Sequence, residues 1–157
     1  MAKRIFRAVC LISLWVFAAS VVIIMWVLYD YYSENQRMQL KRQTEQVAEG
    51  VELCGMEYLT RLSAEDYRIT YIDGDGTVLY DNKSDAAKLE NHKDREEVAQ
   101  AMETGYGESA RFSEILTQRQ IYAAKRLPDG RVIRLSDTRY TVFTLFMSMM
   151  QPILIVA

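Results

Sequence analysis

The sequence predicts an α+β fold with a long N-terminal helix and a five-stranded, mainly antiparallel sheet, flanked by two transmembrane helices. Three observations predict this fold. Uncharged, apolar residues concentrate at the two ends of the chain, an apolar stripe at helical spacing follows the first end, and short alternating segments separated by turn residues fill the middle. We expect the helices of the middle part to cover one face of the sheet.

The first uncharged segment is 8–29, which follows a basic N-terminal stretch, 1–7. A helix of this length reaches roughly 33 Å, enough to cross a hydrocarbon core of about 30 Å. The positive-inside rule keeps the basic N-terminus in the cytoplasm, so we expect the chain beyond this helix outside. A cleaved signal peptide is the alternative, although its apolar region is normally shorter, about 7–15 residues.

The second uncharged segment is 141–157, at the end of the sequence. We interpret it as a second transmembrane helix that is truncated, with a buried or amphipathic helix as the alternative. The chain is then a double-pass protein of the cell membrane, with 30–140 as an extracytoplasmic domain. The formal net charge of −2 and the absence of a basic run argue against nucleic-acid binding.

Residues 30–62 contain no proline and are rich in good helix formers, which predicts a continuous helix. Its apolar stripe has two interpretations: it pairs with a second copy as the stalk of a homodimer, or its distal half packs on the domain's own sheet. Cys10 lies in the first span and cannot pair with Cys54, which either pairs with its twin or is a small helix residue. The predicted stalk residues are Leu40, Val47, Val51 and Cys54.

The region after residue 62 changes to strand composition. A hairpin is predicted where two alternating segments flank the turn Asp73-Gly-Asp-Gly76. A helix is predicted between Asp94, which suits an N-cap, and Gly105, which suits a C-cap. The predicted strands are 68–72, 77–80, 108–113, 120–126 and 131–136.

The string Ile72-Asp-Gly-Asp-Gly-Thr77 resembles the nucleophile loop of haloacid-dehalogenase-type phosphatases. In such an enzyme Asp73 would attack phosphorus and Asp75 would act as general acid, with Mg²⁺ between them. That chemistry needs successive parallel strands and a later lysine, whereas a hairpin turn explains the same residues. A calcium loop that starts at Asp73 would need a bidentate carboxylate at its twelfth position, which is Ser84. The single histidine, His92, offers no triad and no metal pair, so we predict no catalytic residue and no metal site.

Several side chains on the predicted strands are candidates for lining a ligand pocket. An arginine pairs carboxylate or phosphate groups in a bidentate manner, which favours an anionic ligand. The alternative is an ordinary solvated or ion-paired arginine. The predicted ligand-binding residues are Tyr80, Arg111, Tyr122 and Arg134, with Phe112 beside them.

Four strings between Tyr67 and Asp137 resemble the extracytoplasmic sensor domain of phosphate-regulon-type sensor histidine kinases of Gram-positive bacteria. The most specific one contains Asn91, His92, Arg95 and Glu97 ahead of a helix. It departs from the family at Glu96, where a proline often stands. The four strings are RITYIDGDGTVLYD at 68–81, LENHKDREEV at 89–98, RFSEIL at 111–116 and IYAAK at 121–125.

The resemblance implies a PAS-like, Cache-type fold, a homodimer, and the sensor region of a two-component system, with 30–62 as its signalling helix. It also implies a cytoplasmic histidine kinase domain, using ATP and Mg²⁺, and a response regulator, neither of which this sequence contains. No cofactor is expected within the sequence itself, and the ligand is unknown. The same module on a chemoreceptor or a cyclic-nucleotide enzyme is the alternative. A membrane-bound, Mg²⁺-dependent phosphatase that uses Asp73 is a minor one.

Overall fold

The computed structural model describes residues 2–62, 64, 66–113 and 118–140. The chain divides into two compact units, Met1–Gln36 and Arg37–Ala157. The predicted second transmembrane helix, 141–157, lies outside the described residues. The elements are helix α1 (Ala2–Cys54), helix α2 (Met56–Arg61), strands β1 (Arg68–Ile72) and β2 (Val78–Asp81), a 3-10 turn (Ala86–Lys88), helix α3 (Glu96–Thr104), and strands β3 (Tyr106–Ser113), β4 (Gln118–Arg126) and β5 (Val132–Tyr140).

The first unit is the N-terminal part of α1, and its large apolar side chains are exposed. Trp15 is 75% exposed and Trp26 is 69% exposed, and the neighbouring valines, isoleucines and leucines behave alike. Side chains of this kind are stable when lipid, rather than water, surrounds them. By length and composition, α1 is the one described helix that could cross a membrane, a test that an N-terminal signal sequence also passes.

The predicted continuous helix over 30–62 is wrong at its end. Helix α1 stops at Cys54, and α2 begins after Gly55. The backbone of Gly55 has φ 66° and ψ −158°, a conformation that glycine adopts without the steric cost that a Cβ would add. The helix is interrupted here, and Tyr58 of α2 packs its ring where a side chain at Gly50 of α1 would stand.

The five-stranded antiparallel sheet is confirmed, with strand order β2-β1-β5-β4-β3 and every described pair antiparallel. The β1–β2 hairpin and the β3–β4–β5 meander join where β1 pairs with β5. The structure extends three of the predicted strands: β3 begins at Tyr106, β4 begins at Gln118, and β5 continues to Tyr140. Alternate residues of each strand point to opposite faces, so each of the three inner strands contributes to two layers.

The expectation that all helices lie on one face is wrong, because the sheet has helix α1 on one face and helix α3 on the other. On the first face, α1 and α2 bury Leu40, Val51 and Leu59 against odd-numbered residues of β1, β4 and β5, such as Ile69 and Leu135. On the second face, α3 buries Val98 and Ala101 against Ile72, Ala124 and Val132. The apolar stripe of a helix indicates that the helix has a buried side, but it does not indicate which face of the sheet the helix covers.

Helix α3 starts one residue later than predicted, at Glu96. The N-cap is Arg95 rather than Asp94, and it makes no side-chain capping bond. The predicted C-cap is confirmed, since Gly105 has φ 88° in the left-handed region. Gly107 then lets β3 approach α3 closely, because a Cβ there would collide with the carbonyl oxygen of Glu97 and lie 2.8 Å from the nitrogen of Ala101. This close approach places Glu97 directly over the second face of the sheet.

Candidate ligand pocket

A pocket of about 470 Å³ opens on the second face of the sheet, beside helix α3. Its floor consists of side chains from β1, β3, β4 and β5, and its walls come from the segment before β1 and the long connection between β2 and α3. The volume falls in the range of small-molecule sites, roughly 300–1,000 Å³. The lining residues are Asp66, Tyr67, Arg68, Lys83, Leu89, His92, Arg95, Arg111, Gln120, Tyr122, Arg134 and Ser136.

Three of the four predicted ligand-binding residues, Arg111, Tyr122 and Arg134, meet in this pocket. They come from β3, β4 and β5, and the registers Arg111↔Gln120 and Tyr122↔Ser136 place them on neighbouring strands. The guanidinium carbon of Arg134 lies 4.5 Å from the ring centroid of Tyr122, and that of Arg111 lies 4.9 Å from it. The aromatic ring thus interacts with two cations, an arrangement that fixes both arginines on the pocket floor.

The fourth predicted residue, Tyr80, lies on the opposite face and does not line this pocket. Its partner in the sheet is Tyr71, a core residue of the first face, and its hydroxyl donates to the carbonyl oxygen of Leu59 at 3.2 Å. Tyr80 therefore stabilises the contact between β2 and α2. The side chain of Phe112 lies outside the described residues.

Glu97 of α3 holds the two floor arginines in place. Its side chain is fully buried, and its Oε1 accepts a hydrogen bond from Nε of Arg134 at 2.7 Å. Its Oε2 accepts from Nη2 of Arg111 at 3.2 Å and from the hydroxyl of Ser109 at 2.5 Å. Burial by itself would raise the pKa of Glu97, but the Ser109 hydrogen bond and the charge of Arg134 outweigh it, so the pKa lies below its usual value. Glu97 is thus a buried carboxylate whose charge is shared between two arginines.

A second carboxylate, Asp81 at the end of β2, organises the pocket's other side. It accepts from Nε of Arg68 at 2.8 Å and from the hydroxyl of Thr70 at 2.9 Å. Its other oxygen accepts from the backbone N–H groups of Lys83 and Ser84, which shapes the start of the connection to α3. Burial opposes ionisation of Asp81, yet these hydrogen bonds lower its pKa below the usual value. Arg68 is therefore held at the pocket's edge by an ionised partner.

His92 lies in the wall formed by the connection between β2 and α3. It is 6% exposed, and its Nδ1 is the one buried side-chain polar atom, within the described part of the chain, that has no hydrogen-bond partner. Burial, followed by the positive charges of Arg134, Arg95 and Arg68, lowers its pKa to about 4. His92 is therefore neutral near pH 7, and its imidazole is available as a donor or an acceptor according to its tautomer.

The acidic turn that resembles a phosphatase loop holds this wall. Asp73 accepts a hydrogen bond from its neighbour Gly74, Asp75 accepts from the backbone of Thr77 at 2.9 Å, and the main chain closes the turn. The carbonyl oxygen of Gly76 then accepts from the backbone N–H of His92 at 2.9 Å. No group of carboxylate, histidine or cysteine side chains among the described residues could hold a metal ion. The two aspartates act as turn-forming residues that seat the 91–93 segment.

The predicted stalk residues divide into two kinds. Leu40, Val47 and Val51 are buried in the core of the chain's own first face, at 3%, 3% and 4% exposure. Cys54 is exposed at the end of α1. Three of the four side chains are thus already buried in the chain's own core. The alternative interpretation placed only the distal half of the stripe, from Val51 to Leu62, on the sheet, so the burial of Leu40 and Val47 goes beyond it. The homodimer stays a prediction.

The pocket also contains residues outside the predicted ligand-binding set, chiefly Arg68, Lys83, His92 and Arg95. Of these, Arg68, His92 and Arg95 belong to strings that carry the family resemblance, which was the available signal. Lys83 and His92 lie in an irregular connection, where no periodicity reports which way a side chain points.

Comparison with protein-family models gives no match for this chain, and comparison with curated proteins gives none either. Function is therefore inferred from the pocket and from the organisation of the chain.

Proposed function

We propose that the chain is the membrane-anchored sensor region of a bacterial two-component sensor histidine kinase. In this proposal 8–29 and 141–157 cross the cell membrane, and 30–140 form a PAS-like, Cache-type domain on the extracytoplasmic side. The observation that carries the proposal is that helix α1 contains both the apolar, exposed stretch and the residues, Leu40 to Val51, that pack on the sheet with the pocket. A helix of this kind joins a membrane anchor to a binding domain without an intervening linker.

The fold supports the PAS-like part of the proposal. The resemblance requires an α+β domain with a long N-terminal helix and a five-stranded antiparallel sheet, and the described residues have both. A pocket on the sheet face, walled by an irregular connection, is a suitable place for a stimulus to act.

The position of β5 suggests how a stimulus would reach the membrane. Arg134 of the pocket floor is a β5 residue, and the predicted second span begins directly after Tyr140, the last residue of that strand. A change in the pocket that shifts β5 along or across the sheet would therefore act on the second span through a single strand. Such a shift biases an equilibrium between two arrangements of the spans rather than creating a new state.

The proposed partners follow from the assignment of the chain as a sensor region. A homodimer would pair the exposed side of α1, since the buried stripe already contacts the sheet. The cytoplasmic kinase domain, with ATP and Mg²⁺, and the response regulator would belong to the rest of the protein.

The experiment that tests the proposal uses the complete open reading frame that contains this sequence. Its product is expressed in membrane vesicles and incubated with ATP and Mg²⁺. We expect a phosphohistidine that is stable to alkali and labile to acid, with transfer to a response regulator. Cyclic-nucleotide synthesis, or a long methylated coiled coil without phosphorylation, would instead support the same sensor module on a different output domain.

A further inference from the structure

The pocket has a strong excess of positive side chains in its lining. Among the described residues, arginines 68, 95, 111 and 134 and Lys83 face one lining carboxylate, Asp66. Behind the lining, Asp81 pairs with Arg68, and Glu97 is shared between Arg111 and Arg134. Even with Lys83 set aside, the four arginines exceed the three carboxylates that the structure describes here. A partly enclosed site of this kind attracts anions, because low-dielectric walls strengthen its field.

Arg95 is the cation best placed to contact a ligand directly. It is half-buried at the pocket wall, and it forms no ion pair with any carboxylate among the described residues. Arg134, by contrast, directs its Nε to Glu97, which leaves its terminal nitrogens for another partner. The two arginines come from different elements, one from the N-cap of α3 and one from β5, and both line the same pocket.

His92 adds a buried polar residue to the pocket wall, with its Nδ1 closed off from solvent. The charged groups around the imidazole are Arg68 from β1, Asp81 from β2, Arg134 from β5 and Arg95 from its own segment. Three of these four groups are cations, so the positive charge of the lining extends to the wall beside His92.

The remaining lining is aromatic and apolar, with Tyr67, Tyr122 and Leu89 beside the charged groups. Such surfaces contact the carbon skeleton of a ligand, which an inorganic anion lacks. We propose that the pocket binds a small organic acid, whose carboxylate groups contact Arg95 and Arg134 while its carbon skeleton lies on Tyr122 and Leu89. This inference rests on the proposed sensor function and gives it a ligand class.

The test measures binding to the full 157-residue chain in lipid nanodiscs by isothermal titration, at constant ionic strength. The probes are acetate, malonate, succinate, malate, citrate and benzoate, with inorganic phosphate and sulfate as anions that lack a carbon skeleton. We expect at least one carboxylate to bind with a dissociation constant below 1 mM and to bind at least tenfold more tightly than phosphate or sulfate. Equal or tighter binding of phosphate or sulfate would overturn the organic-acid class, and no binding by any probe below 10 mM would overturn the inference.

Variants then assign the site. Arg95→Gln removes a charge that forms no ion pair with the described carboxylates, and we expect it to weaken the best carboxylate about tenfold, as for a lost charge-assisted hydrogen bond. The matched control is Arg42→Gln, on an exposed position of α1, which should leave binding unchanged. An Arg95→Gln chain that folds and binds like the Arg42→Gln control would overturn the assignment. Because binding is measured without any output domain, its result is independent of the kinase assay.

Discussion

Substituting Glu97 by glutamine removes one negative charge from a fully buried position without changing the shape of the side chain. Glu97 is 0% exposed and Arg134 is 5% exposed, so the change leaves a buried guanidinium without its nearest counter-charge. The amide can still accept from Ser109, but its NH₂ group faces a cation on at least one side. The main effect is therefore electrostatic rather than a loss of packing.

The expected magnitude follows from the geometry. The 2.7 Å Arg134–Glu97 contact and the 3.2 Å Arg111–Glu97 contact are both charge-assisted. Breaking a buried pair of this kind by removing one partner costs about 3–5 kcal/mol. Because small domains unfold at a cost of only about 5–15 kcal/mol, Glu97→Gln should lower the free energy of unfolding by a large fraction. We expect a loss of about 3 kcal/mol.

The assay is urea unfolding of the chain in nanodiscs, followed by near-ultraviolet circular dichroism of the domain's tyrosines at pH 7. Glu96→Gln is the matched control: Glu96 precedes Glu97 in the same first turn but is exposed, so its loss should stay within about 0.5 kcal/mol. In the double variant with Arg134→Gln, the two losses should be less than additive by at least about 1 kcal/mol, since each removes the same interaction. Equal stability of Glu97→Gln and Glu96→Gln, or strict additivity, would refute the reasoning.

Three further predictions follow from other parts of the domain. The pKa of His92 is about 4 in the folded protein, against 6.5 for an ordinary histidine. The stability that depends on the neutral imidazole is therefore complete above pH 6.5 and falls as the pH drops to 4, by up to about 3 kcal/mol. Imidazole NMR should show no titration between pH 8 and 5.5, and a midpoint near 6.5 would contradict this. Gly107→Ala should lower the free energy of unfolding in urea by about 2 kcal/mol or more, because the added Cβ meets the backbone of α3. In the control Gly74→Ala the nearest backbone atom is 3.5 Å from the added Cβ, so the free energy of unfolding should change by less than about 0.5 kcal/mol. Similar losses in both variants would show that α3 does not approach β3 so closely. Asp73 is a turn residue in this account, so the chain should not hydrolyse p-nitrophenyl phosphate with Mg²⁺; turnover that Asp73→Asn abolishes would support the phosphatase alternative instead.

Much of the sheet was predictable because its chemistry is local. The Asp73–Gly76 turn, the alternating strands and the Gly105 cap each depend on a few neighbouring residues, and the structure has all of them. Arg111, Tyr122 and Arg134 came together for the same reason. Side chains alternate between the two faces along each strand, so the register between neighbouring antiparallel strands determines which residues share a face.

The prediction that Tyr80 lines the pocket is not met, because the sequence does not reveal an irregularity in the register between β1 and β2. Between Tyr71 and Ile72 the β1–β2 register shifts, so Tyr71 pairs with Tyr80 but Ile72 pairs with Val78. A shift of this kind changes which face a strand position occupies, and nothing in the local composition reports it. Tyr80 consequently packs toward α2.

Other lining residues were not predictable as part of the pocket, for a different reason. Arg68 is held by Asp81, and His92 is held by the backbone of Gly76, so each position depends on a contact across 13 or more residues of chain. The location of α3 on the second face is likewise a tertiary choice, which Gly107 permits by its lack of a Cβ. Residue patterns report periodicity along the chain and not such contacts between distant segments.

The most direct test of the account concerns the side of the membrane on which the pocket lies. Cys54 is exposed within the domain-bearing unit. Cys10, in the predicted span, and any cysteine elsewhere in the complete protein are replaced by serine, so that Cys54 is the single thiol. Intact cells that express the complete protein are treated with a membrane-impermeant maleimide before and after lysis. We predict full labelling of Cys54 in intact cells; labelling that occurs only after lysis would place the domain in the cytoplasm and contradict the sensor account.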